Sequence, residues 1–142
     1  MTAEEKGEAD LAGHCRRLER SYRDSPWGMS GSASLTVSRG SAEIALARVE
    51  ALFDPPGSVN GLPYFKLLDD AALYAASSVV PGAGVKVTSF NVYLTRPVAS
   101  GALRAVARVV GTTESLIMVQ ADLADSAGCG VASASACFVR TG

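Results

Sequence analysis

Residues 60–76 read Asn-Gly-Leu-Pro-Tyr-Phe-Lys-Leu-Leu-Asp-Asp-Ala-Ala-Leu-Tyr-Ala-Ala, and only Lys66, Asp69 and Asp70 carry charge. A helix built from this run has almost no polar face to offer solvent, so other elements must cover it. Asn60 is a good N-cap and Pro63 falls in the first turn, where its missing N–H costs nothing. The helix is therefore expected to start at Asn60 or Gly61 and to stop near Pro81-Gly82. Asp69 then lies about two turns in, too far along to serve as a cap. It shares a helical face with Leu62, Phe65, Ala72 and Ala76, whereas a solvent stripe should be polar throughout. For both aspartates the plain alternative is a solvated carboxylate paired with Lys66, three residues from one and four from the other. Asp70 suits that role better. A mid-helix aspartate costs roughly half a kcal/mol relative to alanine, so the pair is tolerated locally rather than favoured.

What could cover this helix follows from its flanks. Residues 1 to about 10 are polar and are expected to be frayed. Leu11, Cys15, Leu18 and Tyr22 then recur at helical spacing opposite several arginines, which predicts a surface amphipathic helix ending before Pro26. Ala33, Leu35 and Val37 alternate with Ser and Thr, Arg39-Gly40 supplies a turn, and Ala42, Ile44 and Leu46 continue the alternation. That is a hairpin. After Gly84 come strand-like runs at 85–95, 103–112, 115–123 and 130–140, joined by short turn-like links. Parallel neighbours would need crossovers of a dozen or more residues, so the last four strands are expected to form an antiparallel meander. The predicted class is α+β, a sheet of about six strands wrapped on one buried helix. The small residues Ala71, Ala72, Ala75, Ala76, Ser77 and Ser78 would let the sheet approach that helix closely.

Composition removes many functions. At 142 residues and 48% hydrophobic content the chain suits one domain with a real core, here residues 31–142, preceded by a tail and helix in residues 1–30. Net charge is −1 with dispersed Lys and Arg, which leaves no electrostatic footprint for nucleic acid. The polar N-terminus leads into no apolar segment and no run is long enough to span a bilayer, so a cytoplasmic protein without a membrane partner is expected. Three cysteines without metal-ligand spacing argue against a disulfide framework and a zinc site. The single histidine, His14, lies in the N-terminal helix, which excludes a Ser-His-Asp triad, a Cys-His pair and a multi-histidine centre. It reads as a solvated or interface residue. No metal is expected.

In its element order and two motifs the chain resembles the hotdog fold, and specifically the PaaI-like acyl-CoA thioesterases, over roughly residues 31–141. Their helix opens on His-Gly-Gly followed by a leucine and an aspartate; here Asn60-Gly61-Leu62 is followed by Leu67 and Asp69 at the same spacing. A strand ending in Arg-Pro, followed by a glycine and a small-residue strand, appears as Tyr93-Leu94-Thr95-Arg96-Pro97-Val98-Ala99-Ser100-Gly101-Ala102-Leu103. Asn60 and Leu62 stand where the family has histidine and its second glycine. Asp54 takes a polar loop position often held by asparagine, and Gly57 falls on the loop glycine.

The resemblance implies hydrolysis of a small acyl or aryl-acyl CoA thioester by a homodimer or homotetramer, with no cofactor beyond the substrate's own coenzyme A. It assigns the base or nucleophile to Asp69. Thioester hydrolysis also needs donors aimed at the oxygen that gains charge, and the amides of Gly61 and Leu62 at the helix start would serve, since Pro63 has none. Asn60 orients the thioester or water, or is merely a cap. Asp54 is a second carboxylate from a neighbouring subunit, or ordinary turn chemistry in Phe-Asp-Pro-Pro. Phe65 and Gly57 are assigned to the substrate site. Thr88, Ser89 and Asn91 make strand 85–95 polar, either because they line the acyl site or because the strand is an edge with a wet face. Arg96, like Arg104 and Arg108, is a candidate for the phosphates of coenzyme A. The competing reading is a non-catalytic acyl-CoA binder, a sensor or scavenger; a hotdog dehydratase would need the missing histidine.

Overall fold

The computed structural model describes residues 2–26, 33–52 and 62–141. The expectations for Asp54, Gly57, Asn60 and Gly61 lie outside the described residues. Helix α1 spans Ala3–Arg23, strands β1 and β2 span Ala33–Ser38 and Ser41–Leu46, and a short 3-10 turn covers Val49–Leu52. Helix α2 spans Leu62–Ser78, followed by β3 (Gly84–Leu94), β4 (Leu103–Thr112), β5 (Leu116–Asp125) and β6 (Gly130–Thr141). The six strands form one antiparallel sheet in the order β1-β2-β4-β5-β6-β3, wrapped around α2.

Alternation along the strands sets which face meets the helix. Ile44, Leu103, Ala105, Ala107, Ile117, Leu123 and Phe138 point inward and are at most 2% exposed. On α2 the residues that meet them are Leu67, Leu68, Ala71, Ala72, Ala75 and Ala76, all fully buried. The alanines keep the helix thin, so the curved sheet closes on its backbone as the small-residue run predicts. The β1–β2 turn is the expected Arg39-Gly40, with Gly40 at φ 78°, and its amide donates to Ser78 Oγ at 2.8 Å. Hairpin and helix end are thereby fixed together.

Two expectations change. The N-terminal helix begins at Ala3, within the ten or so residues expected to be frayed, because Thr2 and Glu5 form a reciprocal capping box that satisfies the first amides. The last four strands are not a simple meander: β3 leaves β4 and pairs with β6 at the far edge. The link of residues 95–102 is short enough to imply antiparallel strands but not adjacency. Three strand spacings are about 14 Å, and eight extended residues reach about 26 Å. This crossover is pinned at its middle, where the Tyr64 hydroxyl donates to the Val98 carbonyl at 2.9 Å and accepts from the Val98 amide at 2.8 Å. At its end Gly101 adopts φ 96°, a conformation that favours glycine, while its carbonyl accepts from Val49 N at 2.9 Å.

The sheet's two edges are treated differently. At β1, Glu19 of α1 accepts from the Val37 amide at 2.8 Å and Arg16 donates to the Val37 carbonyl at 2.7 Å, so α1 takes the place of a neighbouring strand. The β3 edge has no such cover among the described residues and carries exposed Val87, Tyr93 and Leu94. No helix of the described residues is long and apolar enough to cross a membrane.

Candidate active site

Helix α2 presents three sides. Leu67, Ala71 and Ala75 face the sheet, Lys66, Asp70 and Tyr74 face α1, and Phe65 and Asp69, one turn apart, face β3. Phe65 packs on Phe90 of β3 with ring centroids 5.0 Å apart, which fixes the third direction. Asp69 is half-buried on that side, and burial pushes its carboxyl above the ordinary aspartate value while Lys66 pulls it down. A carboxylate held more basic than usual can take a proton from water or attack a carbonyl carbon. At the helix start the chain offers amides without intrahelical partners, the Leu62 position included.

Asp70 points the other way. It is 6% exposed, bonded to Lys66 Nζ at 2.8 Å, so it takes the paired role expected for it but is buried rather than solvated. Burial raises its carboxyl, opposed by the Lys66 hydrogen bond. Next to it Tyr22 of α1 meets Tyr74 edge to face at 5.7 Å. The Tyr22 hydroxyl is pushed up to about 12, chiefly by burial and then by the Asp70 charge. His14 is likewise buried, not solvated: its Nε2 donates to the Ser77 carbonyl at 2.7 Å, joining α1 to α2. It is an interface residue remote from Asp69.

The remaining candidates are dispersed. Ser89 and Asn91 pair with Cys137 and Ser135 on the outer face of the sheet, away from α2, while Phe90 and Val92 pack inward. Thr88 sits in a β-bulge and donates to the Cys137 carbonyl at 3.2 Å. β3 is an edge strand with a wet face, one of the two readings its polarity allows. Arg96 is tied to the β5–β6 turn: it pairs with Asp125 and donates to the carbonyls of Gly130 and Cys129 at 3.2 and 3.3 Å. Arg104 pairs with Glu43, and Arg108 lies 3.9 Å from Asp122, both on the outer face. A cavity of about 500 Å³ bordered by Ser34, Leu46, Arg104 and Asp125 does not include Asp69 in its lining. Sequence reasoning missed the buried Asp70–Tyr22–Tyr74 cluster; the signal was the one-turn spacing of Lys66, Asp70 and Tyr74, opposite an α1 stripe ending in Tyr22.

The family model of the thioesterase superfamily matches residues 56–131, more than half of the chain and including all of α2. Among solved structures, the Escherichia coli PaaI protein from the phenylacetic acid degradation operon superposes with a TM-score of 0.79 at 18% identity, covering 94% of this chain and 95% of that one. A thioesterase family protein from Silicibacter pomeroyi gives 0.78 at 22% identity, covering 89% and 97%. A thioesterase from Haemophilus influenzae gives 0.76 at 17%, covering 89% and 90%. No curated protein sequence matches the chain. The superpositions cover helix and sheet together and show the hotdog fold. With the family match over α2 and strands β3 to β5, the chain belongs to the thioesterase superfamily and is a thioester hydrolase.

Proposed function

We propose that this protein hydrolyses acyl-CoA thioesters of small acyl or aryl-acyl groups, with Asp69 as general base or nucleophile. The observation that carries the reading is the half-buried Asp69 carboxylate, raised by burial and set one turn from Phe65 on the side of α2 that faces β3. A desolvated carboxylate is a stronger base than one in water, and the Phe65–Phe90 pair offers an apolar wall for a short or aromatic acyl group. The amides of Gly61 and Leu62 would stabilise the developing oxyanion, because donors at a helix start are unsatisfied and the helix dipole favours negative charge there.

The active unit in this reading is at least a dimer. One edge of the sheet is covered by α1, whereas among the described residues β3 leaves its edge open beside the Asp69 side of α2 and exposes 71% of Tyr93 and 52% of Leu94. Pairing of that edge with a second copy would protect it and enclose the carboxylate.

The test of the substrate class is thiol release from a panel of CoA thioesters bearing aromatic, short and long acyl groups. The expected result is turnover that is best for aromatic or short groups and falls with long chains. Turnover of none of the CoA thioesters would contradict this substrate class.

A further inference from the structure

Successive residues on a helix are turned about 100° apart, and Asp69 and Asp70 use that angle to face two different surroundings. Lys66 precedes Asp69 by three residues and Asp70 by four, so its side chain can reach either carboxylate. In the structure its ammonium bonds Asp70 Oδ1 at 2.8 Å. Asp70 is a strong anchor because it is only 6% exposed and is walled by the rings of Tyr22 and Tyr74. A carboxylate in that setting is costly without a cation, so the ammonium is drawn to it rather than to the more open Asp69.

We propose that Asp70 is a positioning residue for Asp69: it holds the Lys66 ammonium on the α1 side of α2 and so leaves the reactive carboxylate without a cation seated on it. This rests on the reading of Asp69 as the reactive group. The ionisable groups around the pair are few among the described residues. On α2 they are Lys66, Asp70 and Tyr74; from α1 Tyr22 faces Asp70, while His14 is engaged with Ser77 and Cys15 lies in the core. The inward residues of β4, β5 and β6 are apolar, and from β3 the residues packed on the core are Val85, Phe90 and Val92. Among the described residues Lys66 is the cation acting on the Asp69 carboxyl, which it lowers.

The test is a four-member cycle on the full chain: wild type, Asp70→Asn, Lys66→Gln, and both together. The Asp69 side-chain carboxyl is followed by carbon-13 NMR against pH, and the acidic limb of kcat/KM is measured for the same proteins. Release of Lys66 in Asp70→Asn should move the Asp69 titration down by about one unit, the low end of what a neighbouring cation does to an aspartate. The limb should shift with it, and the plateau should fall severalfold as the base weakens. In the Lys66→Gln background the same Asp70→Asn change should move Asp69 by no more than a few tenths of a unit. A shift of equal size with and without Lys66 would overturn the proposal in favour of simple repulsion between the aspartates, and so would the absence of any shift. If Asp70→Asn does not fold, Asp70→Ser takes its place in the cycle. The NMR titration needs no turnover, so a reactive role for Asp69 can fail while this coupling is still decided.

Discussion

At the scale of single residues, the two neighbouring aspartates meet different surroundings. Asp69 is raised by burial, against a smaller lowering by Lys66, so in the folded state it binds a proton more readily than in the unfolded chain. A group raised in this way supports folding below its unfolded value, about pH 4, and that support is lost as pH rises through the higher folded value. Asp69→Asn removes the loss. Its Tm should therefore exceed that of wild type at neutral pH, with the gap closing as the pH falls below about 4. Asp125 and Glu50, both held below the ordinary range by hydrogen bonds, act in the opposite direction but equally in both proteins. Thermal melts across pH check this, and an Asp69→Asn protein no more stable than wild type at pH 7 would contradict the assignment of a strained, functional carboxylate.

At the scale of elements, much of the architecture is legible because it rests on short-range chemistry. Strand β4 falls on the predicted residues 103–112, and the Arg39-Gly40 turn fixes the β1–β2 register. Helix α2 follows from its apolar run, and the alanines that thin it are visible in the sequence. The position of β3 was not legible: strand adjacency depends on which edge of a closing sheet is free, which no local pattern encodes. The same limit hid the partners of α1. Its apolar stripe is plain, yet Glu19 and Arg16 read as surface charges until β1 is placed beside them. In the candidate site, the half-burial of Asp69 was legible from its apolar helical face, while the burial of Asp70 depends on Tyr22, far away in sequence. Because Glu19 satisfies an edge amide with a charged acceptor, Glu19→Ala should cost about 1–2 kcal/mol in denaturant unfolding and speed hydrogen exchange at Val37. Unchanged exchange at that amide would show that α1 does not seal the edge.

At the scale of the whole molecule, the asymmetry of the two edges sets the expected assembly. One is closed within the chain, and the other, β3, is uncovered among the described residues, beside the side of α2 that carries Asp69. Light scattering at micromolar concentration should give at least twice the 14.6 kDa chain mass, and Tyr93→Lys, at a position 71% exposed on that edge, should weaken the association. A stable monomer would argue against a site shared between subunits. The central claim is chemical, however, and turns on one carboxylate. Its most direct test is kcat/KM for the preferred acyl-CoA thioester measured on wild type and Asp69→Asn side by side, with folding of both verified. Loss of a positioned base or nucleophile predicts a fall of about 10²–10⁴-fold with the thioester still bound; a variant within threefold of wild type would contradict it.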